Sequence, residues 1–202
     1  MDVRRHLYAV DGWGVGELYV RDGVVLAHEL PQPRASATDG KVPADDRARL
    51  TVGPAAPVGP ATPKGGVTPP EVTLAVAGAR VRDEFVPDLV VELVARVRRH
   101  LAGEAAEYGD VRLDLSWCTP FQAELARAVR AVAWGEVVSY GELAALAGRP
   151  GAARAAGSFC AQNRFALLLP CHRVVARDGI GGYGESGVPV KRRLLALEGV
   201  RL

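Results

Sequence analysis

Apolar and polar positions change rhythm along this chain, and each rhythm predicts a different kind of element. Leu7 to Val10, Gly16 to Val20 and Val24 to Leu30 alternate as half-buried strands do, and Arg21-Asp22-Gly23 between the last two is an Asp-Gly hairpin signal, so the start is predicted to be antiparallel. From Pro31 to Pro70 the alternation is lost. The run Gly53-Pro54-Ala55-Ala56-Pro57-Val58-Gly59-Pro60 sustains neither helix nor ladder, which predicts an inserted loop before a strand resumes at Val72 to Val76. Between Asp88 and Leu101 the period becomes helical. Val90, Leu93, Val94, Val97 and Leu101 share one face, Arg96, Arg98 and Arg99 lie on a solvated face, and Gly103 ends the helix.

After Val111 to Leu115 the chain turns into short helices with explicit start signals. Thr119-Pro120-Phe121-Gln122 offers a capping hydroxyl, a proline in the first turn and a reciprocal glutamine, which predicts a helix from Pro120 to about Ala133. Ser139-Tyr140-Gly141-Glu142 repeats the capping box ahead of Leu143, Leu146 and Ala147 on one face. Gly148-Arg149-Pro150-Gly151 then turns the chain into Ala152 to Cys160, a helical segment of very small residues, and the pair forms a helix-turn-helix. Val190, Leu194 and Leu197 define a last helix with Lys191, Arg192 and Arg193 in its early turns.

Composition narrows the class. With 202 residues and 49% hydrophobic content the chain can build a core, and no apolar run is long enough to span a bilayer or serve as a leader, so a soluble, cytoplasmic protein is expected. Cys118, Cys160 and Cys171 are odd in number and lack metal-ligand spacing, which speaks against a disulfide framework and a zinc site. The net charge of +2 hides an asymmetry: residues 116–202 carry eleven Lys and Arg against six Asp and Glu, whereas residues 1–115 carry 14 against 17. A basic half of this kind points to a polyanion, or simply to a solvated surface.

The candidate chemistry lies in that half. Leu167-Leu168-Leu169 reads as a buried strand ended by Pro170, placing Cys171 where the strand gives way, beside His172 and Arg173. A base or a positive charge within reach would activate the thiol; a packed core cysteine is the alternative. The helix of small residues carries only Arg154, too bare to read bases in the major groove but suited to minor-groove entry or to filling the gap left by an extruded base, with tight helix packing as its alternative. Gly181-Gly182-Tyr183 sits in a glycine-rich loop lacking the order of a phosphate loop, and Glu198 reads on its own as a solvated carboxylate.

Taken in order, Ser139-Tyr140, Arg154, Asn163, Pro170-Cys171-His172-Arg173-Val174, the Gly-Gly-Tyr loop and Leu194-Leu195-Ala196-Leu197-Glu198-Gly199 resemble the methylated-DNA--protein-cysteine methyltransferases, the O6-alkylguanine-DNA alkyltransferases. The resemblance covers about residues 116–199 and is weak before them. It implies an α/β protein of two domains: a ribonuclease-H-like sheet-and-helix domain over 1–115, with the insertion at about 31–70, and a DNA-binding alkyltransferase domain over 116–202 with a winged-helix-like helix-turn-helix. It further implies that Cys171 accepts the alkyl group, that His172 takes the thiol proton through a water, that Glu198 orients His172, and that Asn163 ties the helix-turn-helix to the cysteine. Tyr140 would rotate the phosphate and contact the guanine, Arg154 would fill the stack, and Ala153, Gly157, Arg173 and Tyr183 would complete the DNA-contacting set.

The expected partner is double-stranded DNA containing O6-alkylguanine, met in the minor groove with its base flipped, and O4-alkylthymine is expected as a second substrate. The protein is expected to be a monomer without cofactor or metal, nucleoid-associated when on DNA. The loop tyrosine stands one residue nearer the cysteine than in the family pattern, while the spacing to Lys191 is the usual one. A non-catalytic DNA-binding protein, or a cysteine hydrolase using Cys171 and His172 over many turnovers, are the rival readings.

Overall fold

The structure, a computed structural model, describes residues 3–32 and 87–202. The predicted strand at Val72 to Val76 and nearly all of the expected insertion lie outside the described residues.

Three antiparallel strands, β1 (Arg4–Val10), β2 (Gly14–Arg21) and β3 (Val24–Gln32), form a sheet in the order β1-β2-β3. Asp22 and Gly23 both take positive φ, at 50° and 74°, so the Asp-Gly signal makes the tight hairpin it predicts. β3 runs on to Gln32, past the point where alternation fades. On β3, Val25 pairs in parallel with Leu113, and His28 with Phe165. His28 N–H donates to the Arg164 carbonyl at 2.8 Å, and Ala166 N–H donates to the His28 carbonyl at 3.2 Å. The His28 imidazole joins Tyr8 Oη on one side and the Ala166 carbonyl on the other. The N-terminal sheet is thereby fastened to the segment leading to Cys171.

Helix α1 (Asp88–Leu101) lays Val90, Leu93, Val94 and Val97 on the core, as its period predicts. Its charges match the helix dipole, with Asp88 in the first turn and Arg98, Arg99 and His100 in the last. Arg96 is not merely solvated: it pairs with Glu92 and with Asp110. Trp13 Nε1–H donates to the Leu101 carbonyl at 3.2 Å, and the Arg193 guanidinium stacks 3.6 Å from the Trp13 ring centroid.

Both capping boxes form in full. Thr119 starts α2 (Pro120–Arg130), which stops a turn short of the expected Ala133, and Ser139 starts α3 (Tyr140–Leu146). Leu146 is 65% exposed rather than packed, because α3 ends on it. Gly148 and Gly151, with φ of 77° and 90°, turn the chain into α4 (Ala153–Ala161), whose Ala156 and Phe159 are buried.

A two-residue strand, β4 (Val138–Ser139), pairs in parallel with β5 (Val174–Val175), and α5 (Gly187–Leu197) closes the chain. One contiguous apolar core runs from Tyr8 through Val97, Leu125, Phe159 and Leu169 to Leu194. The architecture is mixed α/β, with sheets and helices sharing that core.

Candidate active site

The expected strand at Leu167 to Leu169 is absent. Leu167 takes φ of 66°, and Leu168 N–H, Leu169 N–H and Cys171 N–H close turns onto the carbonyls of Ala166, Phe165 and Leu169. The leucines are buried because the turn itself is enclosed, and burial alone does not specify a strand. A left-handed backbone is unfavourable for a branched residue, so the surrounding packing and hydrogen bonds must hold this turn. Asn163 supplies part of that hold. Its Nδ2–H donates to the Leu169 carbonyl at 2.8 Å and its Oδ1 accepts from Phe165 N–H at 2.9 Å.

Cys171 opens a 3-10 turn through Arg173 and is buried. The neighbouring Cys160 thiol on α4 and the burial push the Cys171 thiol well above its ordinary pKa, while Lys191 and Asn163 pull it down. The sulfur therefore rests as a thiol and needs a base. His172 is fully buried, and its Nε2 lies 2.8 Å from Glu198 Oε1. Burial lowers the His172 pKa to about 4 despite that carboxylate, so its ring is neutral near neutral pH. The carboxylate can only accept, which places the proton on Nε2 and leaves the buried Nδ1 bare and without a hydrogen-bond partner among the described residues.

Glu198 is not a solvated carboxylate but the hub of this cluster. Its burial works against ionisation, yet the His100 imidazole close by and the donors His172 and Arg173 outweigh it and hold the carboxyl well below the usual range. Arg173 gives Nε to Oε2 at 2.9 Å and Nη2 to Oε1 at 3.0 Å, Gly135 N–H reaches Oε2 at 3.2 Å, and Arg173 Nη1 donates to the Val132 carbonyl at 2.7 Å. Arg173 was expected among the DNA contacts; at 6% exposure it faces inward and carries Glu198 instead. The ligand atoms of His100, His172 and Glu198 lie within 4.8 Å of one another, a spacing a metal ion could use. The guanidinium already occupies both carboxylate oxygens, so the donor set suits a hydrogen-bonded relay rather than a cation.

Parallel pairing of β4 with β5 brings Ser139, and hence Tyr140, beside the cysteine turn. Burial raises the Tyr140 pKa, keeping the phenol protonated as a donor. A Cβ at Gly181 would meet Tyr140 Oη at 3.0 Å and the Ala176 nitrogen at 3.1 Å, so the loop passes the phenol at this distance only because residue 181 is glycine. Gly157, by contrast, has room for a methyl group, the Tyr140 ring lying 3.9 Å away. Tyr183 stands edge-on to His172 with ring centroids 6.4 Å apart, its buried hydroxyl without a hydrogen-bond partner among the described residues. Arg154 is exposed on α4, and Ala153 is partly buried beside it. The structure thus gathers Cys171, His172, Glu198, Asn163, Tyr140 and Tyr183, and leaves Arg154 on the surface.

Two further residues, Lys191 and His100, are buried in roles that the sequence did not assign them. Lys191 is enclosed, its Nζ donating to the Val174 carbonyl at 2.5 Å and the Gly182 carbonyl at 3.0 Å, so it clamps the glycine loop to β5. Burial lowers its pKa to about 8. Its place three residues before Leu194, on the buried face of α5, was the available signal. His100 lies three residues after Val97, on the apolar stripe of α1, where a histidine is equally out of keeping.

The buried imidazoles set an acid limit on stability. His28 and His172 each titrate near 4 when folded, below the 6.5 of the free side chain, because burial disfavours the cation. Between those values the unfolded chain binds more protons than the folded one, so stability falls as pH is lowered through this window. The loss is at most on the order of 3 kcal/mol per histidine. A Tm that declines from neutral pH down to about 4 is expected in a thermal series; a flat Tm over that range would refute it.

Residues 120–200 match the family description "6-O-methylguanine DNA methyltransferase, DNA binding domain". A methylated-DNA--protein-cysteine methyltransferase of Metallosphaera sedula is 39% identical over 109 residues, 54% of this chain and 67% of that protein. One from Mycobacterium tuberculosis is 44% identical over 106 residues, spanning 52% of this chain and 62% of the relative. Among solved structures, Mycobacterium tuberculosis OGT in complex with DNA superposes with a TM-score of 0.60 at 27% identity, covering 96% of this chain and 92% of that one. With the buried Cys171, His172 and Glu198 set falling inside the matched region, the chain belongs to the methylated-DNA--protein-cysteine methyltransferase family.

Proposed function

We propose that this protein repairs duplex DNA by moving the alkyl group of O6-alkylguanine, and of O4-alkylthymine, onto Cys171 in a single turnover. The observation that carries this is the buried thiol followed by an imidazole whose tautomer is dictated by an ionised carboxylate. Glu198 keeps the His172 proton on Nε2, so the Nδ1 lone pair is the base that takes the thiol proton through a water. The thiolate attacks the alkyl carbon in line. The S–C bond forms, the C–O6 bond breaks, and its electron pair passes to the guanine, which a proton delivered at the ring neutralises. Tyr140, held protonated, is the donor for that purine. The product is a thioether, which thiol exchange does not reverse, so each chain reacts once.

Residues 1–115 act as a ribonuclease-H-like domain with the insertion at about 31–70, and 116–202 as the DNA-binding domain, α3 and α4 being its winged-helix-like helix-turn-helix. α4 enters the minor groove, where Ala153 and Gly157 permit close approach, and the exposed Arg154 fills the stack left by the flipped nucleotide. Asn163 positions the cysteine turn and Tyr183 lines the base pocket, whereas Arg173 serves the carboxylate rather than DNA. The protein works as a monomer in the cytoplasm, on the nucleoid when bound; among the described residues no helix is long and apolar enough to cross a membrane.

Incubation with a duplex carrying labelled O6-methylguanine is expected to move the label to the protein; label retained on the DNA would overturn the reading. Flipping a base requires a few kcal/mol, so Arg154→Ala is expected to slow transfer from duplex on the order of 10-fold or more. The same variant should react normally with free O6-benzylguanine, which needs no flipping. Equal slowing on both substrates would count against the stack-filling role.

A further inference from the structure

His100 belongs to α1, far in sequence from Cys171, yet it reaches the reaction cluster. It is completely buried, with Nε2 3.3 Å from Glu198 Oε1, the same oxygen that His172 Nε2 meets at 2.8 Å. The His100 ring lies edge-on to His172 with centroids 5.8 Å apart, edge-on to Trp134 at 4.7 Å, and stacked on Tyr108 at 5.9 Å. Neither of its ring nitrogens is in hydrogen-bond geometry with any described group, so the Nε2 contact is electrostatic and becomes a hydrogen bond only on a small rotation. A buried imidazole with two unsatisfied nitrogens is unfavourable unless something requires it, and aromatic packing alone would be met by Phe. The group within reach that an imidazole N–H serves is the carboxylate oxygen that orients the base.

We propose that His100 is a positioning residue for alkyl transfer: from α1 it steadies the Glu198 carboxylate as a second imidazole donor, and so fixes the orientation of His172. Glu198 is then gripped from three parts of the chain: α1 through His100, the cysteine turn through His172 and Arg173, and the turn before β4 through the Gly135 N–H. The N-terminal residues thus take part in the chemistry through this contact as well as through the β3 pairing. The charged and titratable groups around His100 are Glu198, His172 and Tyr108, together with Arg173, which donates to the same Glu198 oxygen. An acceptor-only oxygen fixes which nitrogen of His100 carries the proton: Nε2.

This inference rests on the alkyl-transfer reading, and its test keeps the two apart. Transfer from an O6-methylguanine duplex is timed for the wild type, H100L and H100Q, with Tm recorded for each. Losing a supporting partner of this kind lowers the H100L rate on the order of 10-fold. H100Q, whose amide N–H can reach the same oxygen, retains most of the rate. A wild type that transfers no label would sink the functional reading, whereas H100L matching the wild type, or H100Q failing as badly as H100L at similar Tm, would overturn the role of His100 alone. Long-range ¹H–¹⁵N spectra of the imidazoles in the unsubstituted protein decide the matter even if H100L does not fold: the proposal requires the His100 proton on Nε2, and an Nδ1–H tautomer refutes it.

Discussion

Cys171→Ala is expected to abolish alkyl transfer while leaving affinity for O6-methylguanine duplex DNA unchanged. The thiol is the group that forms the bond to the alkyl carbon, and alanine has no nucleophile. Cys118 and Cys160 do not substitute for it, because neither is followed by an imidazole held by a carboxylate. Cys160 contacts the Cys171 thiol and works to keep it protonated, which makes it a neighbour of the acceptor rather than a replacement. Because Cys171 is buried and alanine smaller than cysteine, the turn is expected to keep its shape, and with it the α3–α4 surface. Transfer assays and binding titrations on the same preparation check this; residual stoichiometric transfer in the variant would mean that another residue accepts the alkyl group.

Glu198→Ala carries the second large effect, this time on stability and chemistry together. Removing the carboxylate leaves the Arg173 guanidinium buried without its counter-charge, His172 without its acceptor and His100 without its anionic neighbour. Breaking a buried pair from one side is destabilising by roughly 3–5 kcal/mol. For a chain of this size that lowers Tm on the order of 10 °C. Transfer should drop on the order of 100-fold in the fraction that stays folded, since nothing then places the His172 proton on Nε2. Thermal melts and single-turnover rates measure the two parts separately. A variant that melts like the wild type would show that Glu198 is not the hub described.

Much of the scaffold was legible because its signals are local. Asp22-Gly23 needs only its own backbone to make the hairpin, and Thr119/Gln122 and Ser139/Glu142 satisfy each other within one turn of helix. Leu167 to Leu169 misled because an apolar run states burial, not backbone conformation, and the left-handed φ of Leu167 is imposed by Asn163 and its neighbours. Arg173 misled in the opposite sense: a basic residue suggests surface, but here it finds a buried acceptor that only the tertiary fold supplies. Cys171 and His172 could be picked out as a pair. The convergence of His100 and Arg173 on Glu198 could not, because it depends on α1, the cysteine turn and the end of α5 meeting at one carboxylate.

An irreversible thioether makes Cys171 a single-use acceptor. The most direct measurement is the intact mass of the protein, followed by mapping of the modified peptide, after exposure to increasing excesses of O6-methylguanine duplex. A gain of one methyl group in place of one hydrogen is expected, located on Cys171, with repair stopping at one equivalent per chain. Continued repair beyond one equivalent, or a methyl group mapped to any other residue, would contradict it.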